Sequence, residues 1–74
     1  MNEPQREQLR KAQLEISKQA RIIEQVRDDN QQSYENLSEG LQNAEKGQEM
    51  QQAVDDLSEV LANLEEADGT LSQY

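Results

Sequence analysis

Tyr34-Glu35-Asn36-Leu37-Ser38-Glu39-Gly40-Leu41-Gln42-Asn43-Ala44-Glu45-Lys46-Gly47 divides this chain in two. Before it, apolar residues recur at helical spacing, and after it they do so again. Inside it the pattern lapses and two of the three glycines fall. Such a break between two amphipathic segments predicts the elbow of a helical hairpin. The expected architecture is one all-α domain over residues 1–74, an antiparallel, coiled-coil-like two-helix hairpin. Its first helix covers about 4–36, the elbow about 37–44, the second helix about 45–68 and a tail 69–74.

The first helix has a clear start. Asn2 is a good N-cap, Gln5 completes a capping box, and Pro4 sits in the first turn, where its missing N–H costs nothing. Leu9, Ile16, Ile23, Asn30 and Leu37 then occupy the a positions of a heptad, with Ala12, Gln19, Val26 and Ser33 at d. Ala20 and Tyr34, at e, widen the stripe. Asp28–Ser33 has poor helix propensity. Because the register survives it, the helix is expected to continue through it. The same stretch echoes a calcium loop, with Asp28, Asn30, Gln32, Tyr34, Asn36 and Glu39 at ligand spacing. Ser33 occupies the position that such a loop reserves for glycine, and charged Glu35 stands where an apolar anchor belongs, so a polar helix end is the better reading. Leu14 and Ile22 lie off the stripe, and Ile22 is a candidate second contact face.

The second helix is expected to begin between Asn43 and Gln48. Asn43 is the candidate cap, with Gly47 costing about 1 kcal/mol in the first turns. Glu45 and Glu49 suit the positive end of the helix dipole. Met50, Val54, Leu57, Leu61, Leu64 and Leu71 form its stripe, with Ala53, Val60 and Ala67 alongside. Three apolar columns are more than a two-stranded seam needs. Gly69 is expected to end the helix in a left-handed cap. Docked antiparallel, layers whose numbers sum to 80 pair Leu9 with Leu71, Ile16 with Leu64, Ile23 with Leu57, Val26 with Val54 and Asn30 with Met50. The same register sets Ala20 against Ala62 and Arg27 near Asp55. The third column stays wet in a lone hairpin, and two hairpins forming a four-helix bundle would cover it. The expected core and oligomer interface is therefore Leu9, Ile16, Ile23, Val26, Met50, Val54, Leu57, Val60, Leu61, Leu64 and Leu71.

Composition narrows the function classes. The 74 residues contain no His, Cys, Phe or Trp and carry a net charge of −9. A chain this short is often marginal alone, which favours self-assembly or a partner. Without Cys there is no disulfide and no thiolate chemistry. The hydroxyls of Ser17, Ser33, Ser38, Ser58, Thr70, Ser72, Tyr34 and Tyr74 have no histidine to activate them, and a two-helix hairpin offers no cleft to tune a carboxylate. The expectation is therefore no enzyme, no cofactor, no metal and no small-molecule substrate. Charge is segregated: residues 1–27 are net +2 and residues 28–74 net −11, with Lys46 the only base in the latter. The halves should attract when folded back, while the acidic excess opposes direct contact with nucleic acid or membrane. No apolar run is long enough for a secretory signal or a membrane span.

The elbow resembles the centre of a family of short, acidic, uncharacterised helical-hairpin proteins of phages, prophages and bacteria. Tyr34-Glu35-Asn36-Leu37, Glu39-Gly40-Leu41-Gln42, Glu45-Lys46-Gly47 and Met50 fit that centre. Val54-Asp55-Asp56-Leu57 and Leu61-Ala62-Asn63-Leu64-Glu65-Glu66-Ala67 look like the family's acidic helix. Ser38 replaces a proline and Ala44 a capping serine, departures that bear on how sharply the elbow is set. The likeness covers residues 34–67. It implies a setting in mobile genetic elements and the bacterial host cytoplasm rather than a mechanism.

Two surfaces remain as candidate partner sites. Asp55, Asp56, Glu59, Glu65, Glu66 and Asp68 space carboxylates along a helix as a phosphate ladder does, which suits an inhibitor that mimics nucleic acid. The plainer reading is a solvated face that pairs with the first helix. Tyr34, one of two aromatics, either caps the core's end or is a binding hot spot. The expected function is a non-enzymatic protein-interaction and oligomerisation protein, a subunit of a homodimer, the partner of an unidentified protein or both in form, and a phage or prophage accessory protein in setting. The alternatives are the acidic mimic of a host defence protein's ligand and a structural or antitoxin-like helix partner.

Overall fold

Asn2 opens the first helix with a reciprocal cap: its Oδ1 accepts the Gln5 N–H at 2.9 Å, and Gln5 Oε1 accepts the Asn2 N–H at 3.1 Å. The computed structural model describes residues 1–74. Helix α1 runs from Glu3 to Glu35 without interruption, so the weak Asp28–Ser33 stretch is helical. Side chains there bond along their own helix: Asn30 Nδ2 donates to the Val26 carbonyl at 2.9 Å and Gln31 Nε2 to Glu35 Oε1 at 2.9 Å. Asn30 thus satisfies its amide locally. Removing the opening cap by Asn2→Ala is expected to lower stability by about 1 kcal/mol, read as a lower urea midpoint.

The elbow contains a helix that periodicity did not reveal. Helix α2 spans Glu39–Gln42, one turn, too short to carry an amphipathic pattern. Ser38 caps it, its hydroxyl accepting the Leu41 N–H at 3.4 Å.

Helix α3 spans Glu45–Leu71. Its N-cap is Ala44, which makes no side-chain bond, and not Asn43, which instead closes α2 as its C-cap. Gly47 is the one fully buried residue of the chain. A Cβ there would lie 2.5 Å from the Leu41 carbonyl oxygen and 2.7 Å from the Gln42 carbonyl carbon. The glycine lets the first turn of α3 close onto α2, which outweighs its poor propensity.

Gly69 does not end α3. The helix continues to Leu71, and no glycine has a positive φ. Contacts to α1 explain the extension. Gln13 Nε2 donates to the Asp68 carbonyl at 3.2 Å, to Asp68 Oδ1 at 3.3 Å and to Ser72 Oγ at 2.9 Å. The Ser72 hydroxyl in turn donates to the Asp68 carbonyl at 3.0 Å. The last turn is held by its neighbour, so the expected tail from residue 69 is mostly helix.

Helices make up 86% of the residues and there are no strands. The molecule is a rod of 58 × 15 × 12 Å in which α1 packs along α3, and α2 packs against α3. Gln13 reaching Asp68, and Ile16 sharing a groove with Leu64, match the register in which facing numbers sum to about 80. No hydrophobic side chain is fully buried. Two helices share only one seam, and each seam residue is covered from one side.

Candidate interaction surface

The seam is turned relative to the expected heptad. On α1 the a residues Leu9, Ile16, Ile23 and Asn30 are half-buried, and Leu37 beyond the helix end is too. Their companions are the e residues Gln13, Ala20, Arg27 and Tyr34, not the d residues Ala12, Gln19, Val26 and Ser33, which are exposed. Val26 is therefore not the seam partner of Val54: it is 46% exposed. The rotation is anchored at both ends. Near the open end, Gln13 finds Asp68 and Ser72. At the elbow, Tyr34 is half-buried and its carbonyl accepts Gln42 Nε2 at 3.0 Å. On α3, Met50, Val54, Leu57, Leu61, Leu64 and Leu71 are half-buried as the stripe requires, and Val60 is 40% exposed.

Turning the seam sorts the long flanks by chemistry. One flank is a groove whose apolar lining comes from Ala12, Ile16, Ile23, Val60 and Leu64, with Gln19 and Glu15 at its edge. Val26 stands seven residues beyond Gln19 and Ala67 seven beyond Val60, so both columns continue along this flank. Ile22, 57% exposed, follows Glu15 by seven and extends its rim. The other flank is lined by Ser17, Glu24, Arg27, Ser58, Glu65 and Asp68 around a floor that includes Ala20, Leu61 and Ala62. Ala20 and Ala62 do share a groove, as the register requires. A third hollow at the elbow is formed by Ser33, Asn36, Leu37, Leu41, Lys46 and Met50.

The expected electrostatic clasp between the halves is not made. Every ion pair lies within α1: Arg6 with Glu3, Arg10 with Glu3 and Glu7, and Arg27 with Asp28. Arg27 does not pair with Asp55. Its guanidinium meets the adjacent carboxylate at 3.1 Å, and a longer surface bridge would add little. Arg10 is bonded to Glu3 at 2.6 Å and to Glu7 at 3.0 Å, which pushes its guanidinium pKa up. The carboxylates of α3 have no ion-pair partner.

Those carboxylates do not form one ladder. Asp55, Glu59 and Glu66 are exposed and share the outer face of α3 by helical spacing. Glu65 lines the polar flank, and Asp56 accepts Gln52 Nε2 at 2.8 Å elsewhere on the surface. Three carboxylates thus stand together and three stand apart, the third being half-buried Asp68, whose Oδ1 accepts Gln13 Nε2. No three Asp or Glu side chains converge as a metal site would need, and no helix is long and apolar enough to cross a membrane. Comparison with protein-family models, with curated proteins and with solved structures finds no match.

Sequence reasoning missed the sidedness. Its signal is in the chain: Ala12, Val26, Ala53, Val60 and Ala67 are all apolar, but which columns share a flank depends on the rotation of α1.

Proposed function

We propose that this chain is an antiparallel helical hairpin that acts through protein–protein contact and pairs with a second copy into a four-helix bundle. The observation that carries this reading is the apolar flank: Val26 and Val60 remain 46% and 40% exposed while no hydrophobic side chain is buried. A second copy laid on that flank would remove its lining residues from water, at roughly 25 cal/mol per Å² of apolar area. The resemblance at the elbow supports a role as a phage or prophage accessory protein in the host cytoplasm.

Light scattering across protein concentration tests the pairing. The expected mass is twice the 8.5 kDa of the chain. Each copy carries −9, so added salt should strengthen the association by screening repulsion. A single-chain mass at every concentration would sink this reading.

A second reading is an acidic decoy for a basic groove on a host protein. The exposed, unpaired face of Asp55, Glu59 and Glu66 favours it. Its salt response is opposite: binding to a basic protein should weaken as salt rises. Neutralising Asp55, Glu59 and Glu66 to their amides should abolish decoy binding and leave self-pairing intact or stronger.

A further inference from the structure

We infer that Asp68–Gly69 is a site of spontaneous backbone modification, isomerisation to isoaspartate, and that Gln13 is the latch restraining it.

The sequence supplies the reactive pair. An aspartate carboxyl can close a five-membered succinimide ring on the nitrogen of the next residue, and a side chain on that residue obstructs the closure. Asp28, Asp29, Asp55 and Asp56 are followed by Asp29, Asn30, Asp56 and Leu57. Asp68 alone is followed by glycine, and no asparagine is. Nothing lies within 4 Å of where a Gly69 Cβ would stand, so the space beside the ring is open.

In the closed hairpin this pair is held apart. Both residues lie in α3, where the Gly69 N–H points along the axis to the carbonyl four residues back. The Asp68 Cα–Cβ bond tilts toward the helix N-terminus, away from the Gly69 nitrogen. Gln13 fixes that posture from α1, its Nε2 donating to Asp68 Oδ1, to the Asp68 carbonyl and to Ser72 Oγ. These are the only side-chain hydrogen bonds between α1 and α3, and no ion pair joins the two helices.

The last turn has little stability of its own. Gly69 is a poor helix former and Thr70 is β-branched. Glu65, Glu66 and Asp68 crowd the negative end of the helix dipole, with no base in the last turn. Released from Gln13, the helix would end near Asp68, and the carboxyl could turn onto the freed Gly69 nitrogen.

The chemistry balances with water alone. The Gly69 nitrogen bonds to Asp68 Cγ, and a carboxyl oxygen leaves as water with the amide proton and a proton from solvent. Water then adds back. Opening the ring at Cγ restores aspartate. Opening it at the main-chain carbonyl carbon leaves the chain running through Cγ, an isoaspartate of unchanged mass. The extra methylene in the backbone breaks helical hydrogen-bond spacing, so the last turn cannot re-form and half-buried Leu71 loses its seat on the seam.

Ageing the full chain at fixed pH and temperature tests this. Isoaspartate is quantified by enzymatic carboxyl methylation and located by peptide mapping. The urea-unfolded chain should form it at residue 68, and the folded parent on the order of tenfold more slowly or less. Gln13→Ala should raise the folded rate on the order of tenfold, the weight of the hydrogen bonds it removes. Gln19→Ala is the control, since Gln19 bonds only Glu15 of its own helix, and it should age like the parent. Gly69→Ala should suppress the product in every background. Amide exchange separates local from global loosening: Gln13→Ala should speed exchange at residues 70–72 and leave 57–61 unchanged. No product at residue 68 in the unfolded chain would overturn the site. An unchanged rate in Gln13→Ala, or faster exchange shared equally by residues 57–61, would overturn the latch.

Discussion

Gly47→Ala is expected to destabilise this protein by about 1–3 kcal/mol, the range for forcing extra volume into packed structure. The added Cβ meets backbone, the carbonyl groups of Leu41 and Gln42, and not the yielding end of a long side chain. Relief requires α2 to move off the first turn of α3, which would disturb the Gln42 bond to the Tyr34 carbonyl. Gly40→Ala and Gly69→Ala provide the contrast. A Cβ at either has nothing within 4 Å, both positions are helical and neither has a positive φ. Those two should gain roughly 0.5–1 kcal/mol from reduced backbone freedom. Urea midpoints of all three variants, at one protein concentration because pairing shifts apparent stability, make the comparison. Equal behaviour at the three glycines would show that the close approach at Gly47 is not what holds the elbow.

Val60→Asp is expected to weaken self-association by on the order of 100-fold or more. Within one chain the side chain is 40% exposed, so the folded rod can keep the carboxylate hydrated. Covered by a second copy, it must be desolvated, and the dimer contains two of them. Leu14→Asp is the matched control. Leu14 is 66% exposed and lies beside Arg10, Gln13 and Ser17, away from the apolar groove. Sedimentation equilibrium should show the Val60 variant at the 8.5 kDa chain mass where Leu14→Asp and the parent stay at twice that value. Both aspartates add the same charge, so a general effect of acidity would shift the two alike.

The substitutions also separate the two functional readings. Val60→Asp leaves Asp55, Glu59 and Glu66 untouched on the outer face, so a decoy would keep its acidic face while losing its pairing. The amide variants of the acidic set do the reverse.

The chain by itself determined the two long helices. Capping chemistry at Asn2, Gln5 and Pro4 and the a column from Leu9 to Leu37 are local, and local signals set where a helix starts and which stripe turns inward. The register near 80 was also legible, because two heptad stripes joined by a short elbow have few ways to align. Other features were decided only by tertiary contact. Residues Glu39–Gln42 form a turn of helix because Ser38 caps them and Gly47 lets α3 close against them. Gly69 stays helical because Gln13 holds the last turn through Asp68 and Ser72. The rotation of α1 placed Gln13, Ala20, Arg27 and Tyr34 on the seam and left Ala12 and Val26 on a flank. Periodicity could not choose between the d and e columns, since both adjoin a on a helix and both contain apolar and polar members. That choice followed from which polar groups found partners when the two ends were packed, and it set which side of the rod is apolar.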